Sequence, residues 1–314
     1  MQSRYVRVLV VVVLAALVVV LTGCLGGSHA LGTPGAQAIP EGQSSHNIDV
    51  GGVSRTFHLY RPPGLGGGAP LVVMMHGGFG NGAQAERSYH WDSEADAGRF
   101  LVAYPDGIMR AWNAGSCCGE PHIANTDDVA FITAMVSAIE QAMPIDRARI
   151  YATGMSNGAM MALRLGCQTD TFAAIAPVAG TLLTDCAHAH PTSVLQIHGT
   201  ADDRVPYDGG PGKAFSADGR ARVDGPSVES VNATWRTIDA CGHPDVTTAG
   251  DVTIQTASCA DGRTVELMSV KDAGHQWPGG EPSPIAQRFG QMPAPSTAMN
   301  ATDTIWQFFA SKHQ

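Results

Sequence analysis

The pentapeptide Gly154-Met155-Ser156-Asn157-Gly158 separates a short apolar stretch, Ile150-Tyr151-Ala152, from a run rich in Ala, Met and Leu between Asn157 and Leu165. The first reads as a strand and the second as a helix. A sharp strand-to-helix turn puts the central side chain at its tip, on strained backbone, and the flanking glycines let neighbouring elements approach without a clashing Cβ. A chain built around such a turn needs a sheet whose strands are each followed by helices. The remaining pattern agrees. His46 to Tyr60 alternates polar and apolar around Gly51-Gly52, an antiparallel hairpin. Leu71–Met75 and Phe100–Tyr104 are continuous apolar runs, as expected for strands buried on both faces. Arg149–Thr153, Ala173–Val178, Val194–His198 and Val265–Val270 read as further strands. Helical spacing marks Asp127–Met143, capped by Thr126 or Asp127, as well as Ser227–Ala240 and Ala301–Phe309. The expected fold class is α/β: a mostly parallel central sheet with an antiparallel N-terminal hairpin and helices on both faces.

A serine hydroxyl becomes a nucleophile when a base takes its proton, and the base needs an acid to orient it. In the α/β-hydrolase fold the chain order is Ser, then Asp or Glu, then His. Two later segments fit that order. His198-Gly199-Thr200-Ala201-Asp202-Asp203 follows the strand Val194–Ile197, and Gly274-His275-Gln276-Trp277 follows the strand ending at Val270. Each lies past a strand end, the side on which open α/β sheets place their sites. The plainer reading of Asp202-Asp203 is a solvated turn, and one late histidine among twelve is no rarity; order and placement favour Ser156, Asp202 and His275, with Asp203 in reserve. His76-Gly77-Gly78-Phe79-Gly80 follows an early buried strand. Its main chain is expected to supply one oxyanion donor, from Gly78 or Phe79, beside the N–H of Asn157. Trp112, Tyr207 and Trp277 are candidate aromatic walls for a phenolic or sugar group, or ordinary packing. Asp208–Pro226 and Pro278–Pro295 are long loops that shape a pocket or are tolerated surface.

These segments resemble the polyhydroxybutyrate depolymerase-like esterases, the group that includes bacterial feruloyl and acetylxylan esterases and LpqC-type lipoproteins. The stretches carrying the resemblance are Trp112 to Gly119, Asp127 to Ile132, Arg149 to Met161, Phe172 to Gly180, His198 to Asp202 with Val205-Pro206-Tyr207, and Gly274 to Gly280. They span most of residues 50 to 310. The resemblance implies an α/β-hydrolase fold and a Ser-His-Asp esterase, and it takes the first Asp after His-Gly-Thr-Ala, Asp202, as the acid. Ala159 departs from the pattern, where a second glycine is usual, and the His76-Gly77-Gly78 stretch varies.

The N-terminus carries Arg4 and Arg7, then an unbroken apolar run from Val8 to Leu21, shorter than a spanning helix requires. It ends in Leu21-Thr22-Gly23-Cys24, which resembles a bacterial lipobox with Cys24 as the acylated residue. The competing reading is an ordinary secretory signal. The expected organisation is a signal peptide over 1–23, a Gly/Ser/Pro-rich tether over 24–45, and one catalytic domain over 46–314, held to a membrane of the cell envelope by the lipid or released outside the cell. Export makes disulfides the default for Cys117, Cys118, Cys167, Cys186, Cys241 and Cys259. Six cysteines allow 15 connectivities. Cys241–Cys259 is the best single pairing because it brackets one short segment, and the other four can form two bridges. A bond between the neighbours Cys117 and Cys118 would strain the peptide joining them. No CxxC pair argues for zinc.

With 19 Lys+Arg against 28 Asp+Glu the net charge is −9, which lacks the electrostatic footprint of a nucleic-acid binder. The expected function is hydrolysis of carboxylic esters, polyhydroxyalkanoate-type or feruloyl/acetyl-polysaccharide-type, through an acyl-enzyme and with no metal, organic cofactor or obligate protein partner. The alternatives are a general short-chain esterase, lipase or peptidase, and a non-catalytic surface-binding lipoprotein on a hydrolase scaffold.

Overall fold

The computed structural model describes residues 29–30, 38–214, 219, 222–281 and 293–314. The expected signal peptide, Cys24 and most of the tether lie outside the described residues, as do 215–218, 220–221 and 282–292 of the two long loops. The strands are β1 (His29–Ala30), β2 (Gly42–Val50), β3 (Val53–Arg61), β4 (Ala69–Met75), β5 (Leu101–Pro105), β6 (Ile145–Met155), β7 (Ala174–Val178), β8 (Ser193–Gly199), β9 (Gly210–Pro211), β10 (Asp224–Gly225), β11 (Asp245–Ala249), β12 (Val252–Ser258) and β13 (Thr264–Val270). The helices are α1 (Gly82–Ser88), α2 (Trp91–Gly98), α3 (Gly119–Ile123), α4 (Asp128–Ala142), α5 (Asn157–Gln168), α6 (Val228–Ile238) and α7 (Ala301–Ala310).

Eleven strands form one sheet in the order β1-β2-β3-β5-β4-β6-β7-β8-β13-β12-β11, and β9 and β10 pair separately. From β5 through β13 the neighbours run parallel. Antiparallel hairpins close both flanks, β2–β3 on one side and β11–β12 on the other. The central strands are apolar throughout because both faces are covered. In β4, Leu71, Val73 and Met75 enter one core with Ile132 and Met135 of α4, Leu165 of α5 and Trp235 of α6. Val72 and Met74 point the other way, into a core with Trp91 of α2 and Ile305 and Phe309 of α7.

The sheet departs from the sequence reading at its edges. β2 begins at Gly42, whose partner is Arg61, so the sheet reaches into the stretch expected as tether. Residues 42–45 are Gly-Gln-Ser-Ser on a strand near the sheet edge, where polar side chains are tolerated and no alternation betrays them. The β11–β12 hairpin has the same cause: all five residues of β11 are exposed. The short helices α1 to α3 bury too few residues to print a 3.6-residue period.

The six cysteines form Cys117–Cys118, Cys167–Cys186 and Cys241–Cys259. The neighbours are bonded after all, packed with Ala114, Met160, Val205 and Val223. The other two close segments of 19 and 18 residues, a span at which a disulfide stabilises a fold by about 3 kcal/mol. Three disulfides fit an oxidising, extracytoplasmic compartment. No helix among the described residues is long and apolar enough to cross a membrane.

A buried ion pair joins the N-terminal hairpin to α4. Arg55 Nη2 on β3 donates to Asp128 Oδ1 at 2.7 Å, and both side chains are almost wholly buried. The guanidinium lies 3.8 Å from the Phe131 ring centroid. Burial pushes the Asp128 carboxyl up, against the backbone N–H of Asn113 and the charge of Arg55, which hold it down. Arg55→Met is expected to destabilise the fold by about 3–5 kcal/mol, because it strands a buried carboxylate rather than removing a pair. Urea unfolding at neutral pH checks this, and an unchanged midpoint would show that the carboxylate finds water or a proton instead.

Candidate active site

The turn at Ser156 connects β6 directly to α5. Ser156 has φ 56° and ψ −117°, a left-handed conformation that a non-glycine residue adopts only under constraint. The constraint comes from both sides. The Ser156 N–H donates to Val178 O at 2.9 Å, and its carbonyl accepts from Met160 N at 2.9 Å. A Cβ on Gly154 would lie 2.5 Å from the Gly158 carbonyl carbon, and one on Gly158 would lie 2.3 Å from Met75 O. The two glycines are therefore a packing requirement of the turn.

Three loops past the C-terminal ends of β6, β8 and β13 bring their side chains together. His275 Nε2 is 2.8 Å from Ser156 Oγ, and His275 Nδ1 is 2.8 Å from Asp202 Oδ2. The acid and histidine loops are tied by main-chain bonds: Thr200 N to Val270 O and Ala201 N to Ala273 O, each 2.9 Å. Asp202 is buried, and Oδ1 accepts from the backbone N–H groups of Arg204 and Val205, both at 2.9 Å. Burial alone would raise this carboxyl. The facing His275 and the hydrogen bonds from His198 and His275 overcome that and hold it well below the usual carboxylate range. Asp203 is exposed and pairs with Lys213 at the surface. An acceptor on Nδ1 fixes the tautomer a base needs, with Nε2 free to accept the serine proton.

The loop after β4 separates the two donor candidates. The N–H of Phe79 already donates to Arg110 O at 2.8 Å, so Phe79 is not a free donor. The N–H of Gly78 has no partner among the described residues, and the space around its Cα is open. His76 sets its direction. His76 Nε2 accepts from Gly107 N at 2.9 Å, which leaves the proton on Nδ1 to donate to Gly77 O at 2.8 Å. Gly80 N donates to the same carbonyl at 3.0 Å. A planar trans peptide with its carbonyl held on one side turns the Gly78 N–H to the other. Burial lowers the pKa of His76, in keeping with a neutral ring. At the neighbouring residue a Cβ on Gly77 would lie 3.6 Å from Ser156 Cβ, so this loop runs alongside the serine. Asn157 follows Ser156 at the start of α5, and its side chain clamps the main chain of Trp112: Oδ1 accepts from Trp112 N at 2.7 Å and Nδ2 donates to Trp112 O at 3.0 Å.

Two of the three aromatic candidates take the packing alternative. Trp112 is fully buried, stacked with Phe131 and tilted against His76, with Nε1 donating to His76 O at 2.9 Å. Trp277 is buried against Tyr89, with Nε1 donating to Thr302 Oγ1 at 3.1 Å. Neither indole is presented as a wall. Tyr207 is half-buried; its hydroxyl lies 2.9 Å from Glu229 Oε1 and 2.6 Å from Ser269 Oγ, and its ring packs edge-on to His198. The residues that sequence reasoning missed are the supports: the His76, Asn157 and His198 side chains. Their only sequence signal was adjacency to the loops already singled out.

A doubly covered, mostly parallel sheet with its Ser, Asp and His loops beyond the C-terminal strand ends is an α/β-hydrolase. Residues 55–207, which include Ser156 and Asp202, match the family model described as Esterase PHB depolymerase. NocK of Nocardia uniformis subsp. tsuyamanensis, an esterase by assignment, is 31% identical over 76% of this chain and 74% of its own length. Feruloyl esterase B of Piromyces equi is 30% identical over 66% of this chain, which spans only 39% of that protein. Among solved structures, the acetyl xylan esterase from Aspergillus awamori superposes with a TM-score of 0.54 at 13% identity, over 76% of this chain and 93% of that one, a likeness of fold. The chain belongs to the Esterase PHB depolymerase family.

Proposed function

We propose that the chain is an exported serine esterase that hydrolyses carboxylic esters through Ser156, His275 and Asp202. One observation carries the reading: Ser156 Oγ, His275 and Asp202 stand in a continuous hydrogen-bonded line, with the serine on strained backbone at the tip of its turn. Ser156 Oγ attacks the ester carbonyl as His275 Nε2 takes its proton, and Asp202 stabilises the imidazolium without accepting the proton. The backbone N–H groups of Asn157 and Gly78 bind the oxyanion. The alcohol leaves with the proton from His275, and water then attacks the acyl-enzyme by the reverse route. The feruloyl and acetylxylan esterases among its relatives favour an acyl or feruloyl ester on a larger, even polymeric, carrier. Cys24 with the tether holds the enzyme at a membrane surface of the envelope.

The test uses the exported full-length protein. A fluorophosphonate is expected to add once, on the peptide containing Ser156. A panel of p-nitrophenyl acetate, methyl ferulate, acetylated xylan and a soluble hydroxybutyrate oligomer is expected to show turnover that this labelling abolishes. Folded, disulfide-bonded protein that neither labels nor hydrolyses any member would overturn the reading.

A further inference from the structure

Phe79, released from the donor role, carries a different signal. Its backbone is left-handed, with φ 67°, where glycine is the natural occupant, yet the chain places a phenyl ring there and leaves it 70% exposed. Its N–H bonds to Arg110 O, which joins the loop after β4 to the turn Ile108–Arg110. Met109 on that turn is also left-handed, with φ 48°, and is 75% exposed. The turn packs against α3, whose Ile123 is 77% exposed. Among the described residues only five large apolar side chains are exposed, and three of them stand on these three joined segments. Exposed apolar residues scattered singly need no explanation, but three on joined segments do. The first of them, Phe79, directly follows Gly78 in the loop that runs alongside Ser156.

We propose that Phe79, with Met109 on the turn bonded to its loop, is an apolar shelf that receives the hydrophobic group of the ester bound at Ser156, and that Phe79 sets selectivity for esters bearing an aromatic or extended aliphatic group. The inference rests on the esterase reading above. It assigns the substrate contact that the buried Trp112 and Trp277 cannot make. The occupant follows from position: Phe79 directly follows Gly78, so one substituent of a carbonyl held between Ser156 and the Gly78 N–H passes next to its loop. One side of the phenyl ring is already engaged, with the Arg222 guanidinium 5.0 Å from its centroid, which orients the ring by a cation–π contact.

The experiment compares kcat/KM of the exported full-length wild type, Phe79→Ala, Phe79→Gly and Met109→Ala on p-nitrophenyl acetate, p-nitrophenyl octanoate, octyl acetate and ethyl acetate. The long chain lies on the acyl side in the second ester and on the alcohol side in the third. Each long ester is read against its short counterpart, p-nitrophenyl octanoate against p-nitrophenyl acetate and octyl acetate against ethyl acetate, and loss of the ring is expected to lower the long-to-short ratio of kcat/KM about tenfold in one of the two arms, roughly what two buried methylenes are worth. That arm identifies which side of the ester the shelf holds. Met109→Ala is expected to lower the same ratio by a smaller factor. Phe79→Gly relieves the backbone while Phe79→Ala keeps it strained, so a side-chain contact predicts the same ratio in both. Short- and long-ester rates that fall in proportion in both arms, or a ratio that moves in Phe79→Ala alone, would overturn the shelf, since either reports a disturbed loop. A wild type without serine-dependent turnover defeats the esterase reading itself, whereas an active enzyme with an unmoved ratio defeats only the shelf.

Discussion

Ser156→Ala is expected to lower ester turnover by at least about 10⁴-fold while the protein still folds, the scale found when the nucleophile is removed from a Ser-His-Asp set. Alanine keeps the Cβ and the left-handed backbone of the turn, so the substitution adds no strain that serine did not already carry. The supports remain as well: the N–H of residue 156 still bonds to Val178 O, and Gly154 and Gly158 still allow the close passage of β6, α5 and Met75. The lost atom is the one 2.8 Å from His275 Nε2. Initial rates on p-nitrophenyl acetate, with near-ultraviolet circular dichroism as the check on folding, decide the matter. Turnover within tenfold of wild type would remove Ser156 from the mechanism and with it the acyl-enzyme. Fluorophosphonate labelling should vanish in the same variant, as it must if the Ser156 hydroxyl is the group that is labelled.

The sheet was readable because its middle is buried on both faces. Such strands are written as unbroken apolar runs, and Leu71–Met75 needs no context to be recognised. Strand stretches without apolar alternation were not: β11 buries no side chain, and the first four residues of β2 are Gly-Gln-Ser-Ser. The three polar residues brought together at the site were readable for a related reason. Each follows a strand end within three residues of a glycine, and topology forces those ends to one side of the sheet. What surrounds them was not readable from the sequence, because a tryptophan is written the same way whether it lines a cleft or fills a core. Trp112 turned inward since its indole N–H satisfies His76 O and its main chain is held by Asn157. Phe79 turned outward since its backbone is pinned to Arg110 O in a left-handed loop. Neither outcome has a period or a spacing. Both depend on partners distant in the chain.

The supporting contacts also explain how loops can hold a site to the tolerance that acyl transfer needs. His76 fixes one peptide, the one whose N–H is Gly78. Asn157 ties the start of the helix after the nucleophile to the segment ahead of Cys117 and Cys118. His198 places Nε2 2.8 Å from Val205 O and 3.3 Å from Asp202 Oδ2, so it braces the acid from beneath. Both partners of Nε2 are acceptors, which places a proton on Nε2, and Nδ1 is buried without a partner among the described residues.

That arrangement makes Asp202→Asn more severe than a loss of one negative charge. The introduced amide would keep its carbonyl oxygen on the N–H groups of Arg204 and Val205, which leaves its NH₂ facing His275 Nδ1. The imidazole would then have to accept there and carry its proton on Nε2, where it can no longer take one from Ser156. The same NH₂ would meet the Nε2–H of His198, donor against donor. The expected loss in kcat is about 10³- to 10⁴-fold, and Ser156→Ala added to Asp202→Asn should cost little beyond Ser156→Ala alone, since the groups act as one unit. Stability supplies an independent readout. The folded-state pKa of Asp202 is depressed, so its ionisation stabilises the fold above the unfolded value of about 4 and that contribution is lost as pH falls further. The stability gap between wild type and Asp202→Asn should therefore be widest near pH 7 and should narrow below about pH 4. Denaturant titrations at pH 7, 5 and 3 measure it. A gap that stays constant, together with a kcat within tenfold of wild type, would mean that Asp202 is not the ionised partner of His275 and that the exposed Asp203 must be reconsidered as the acid.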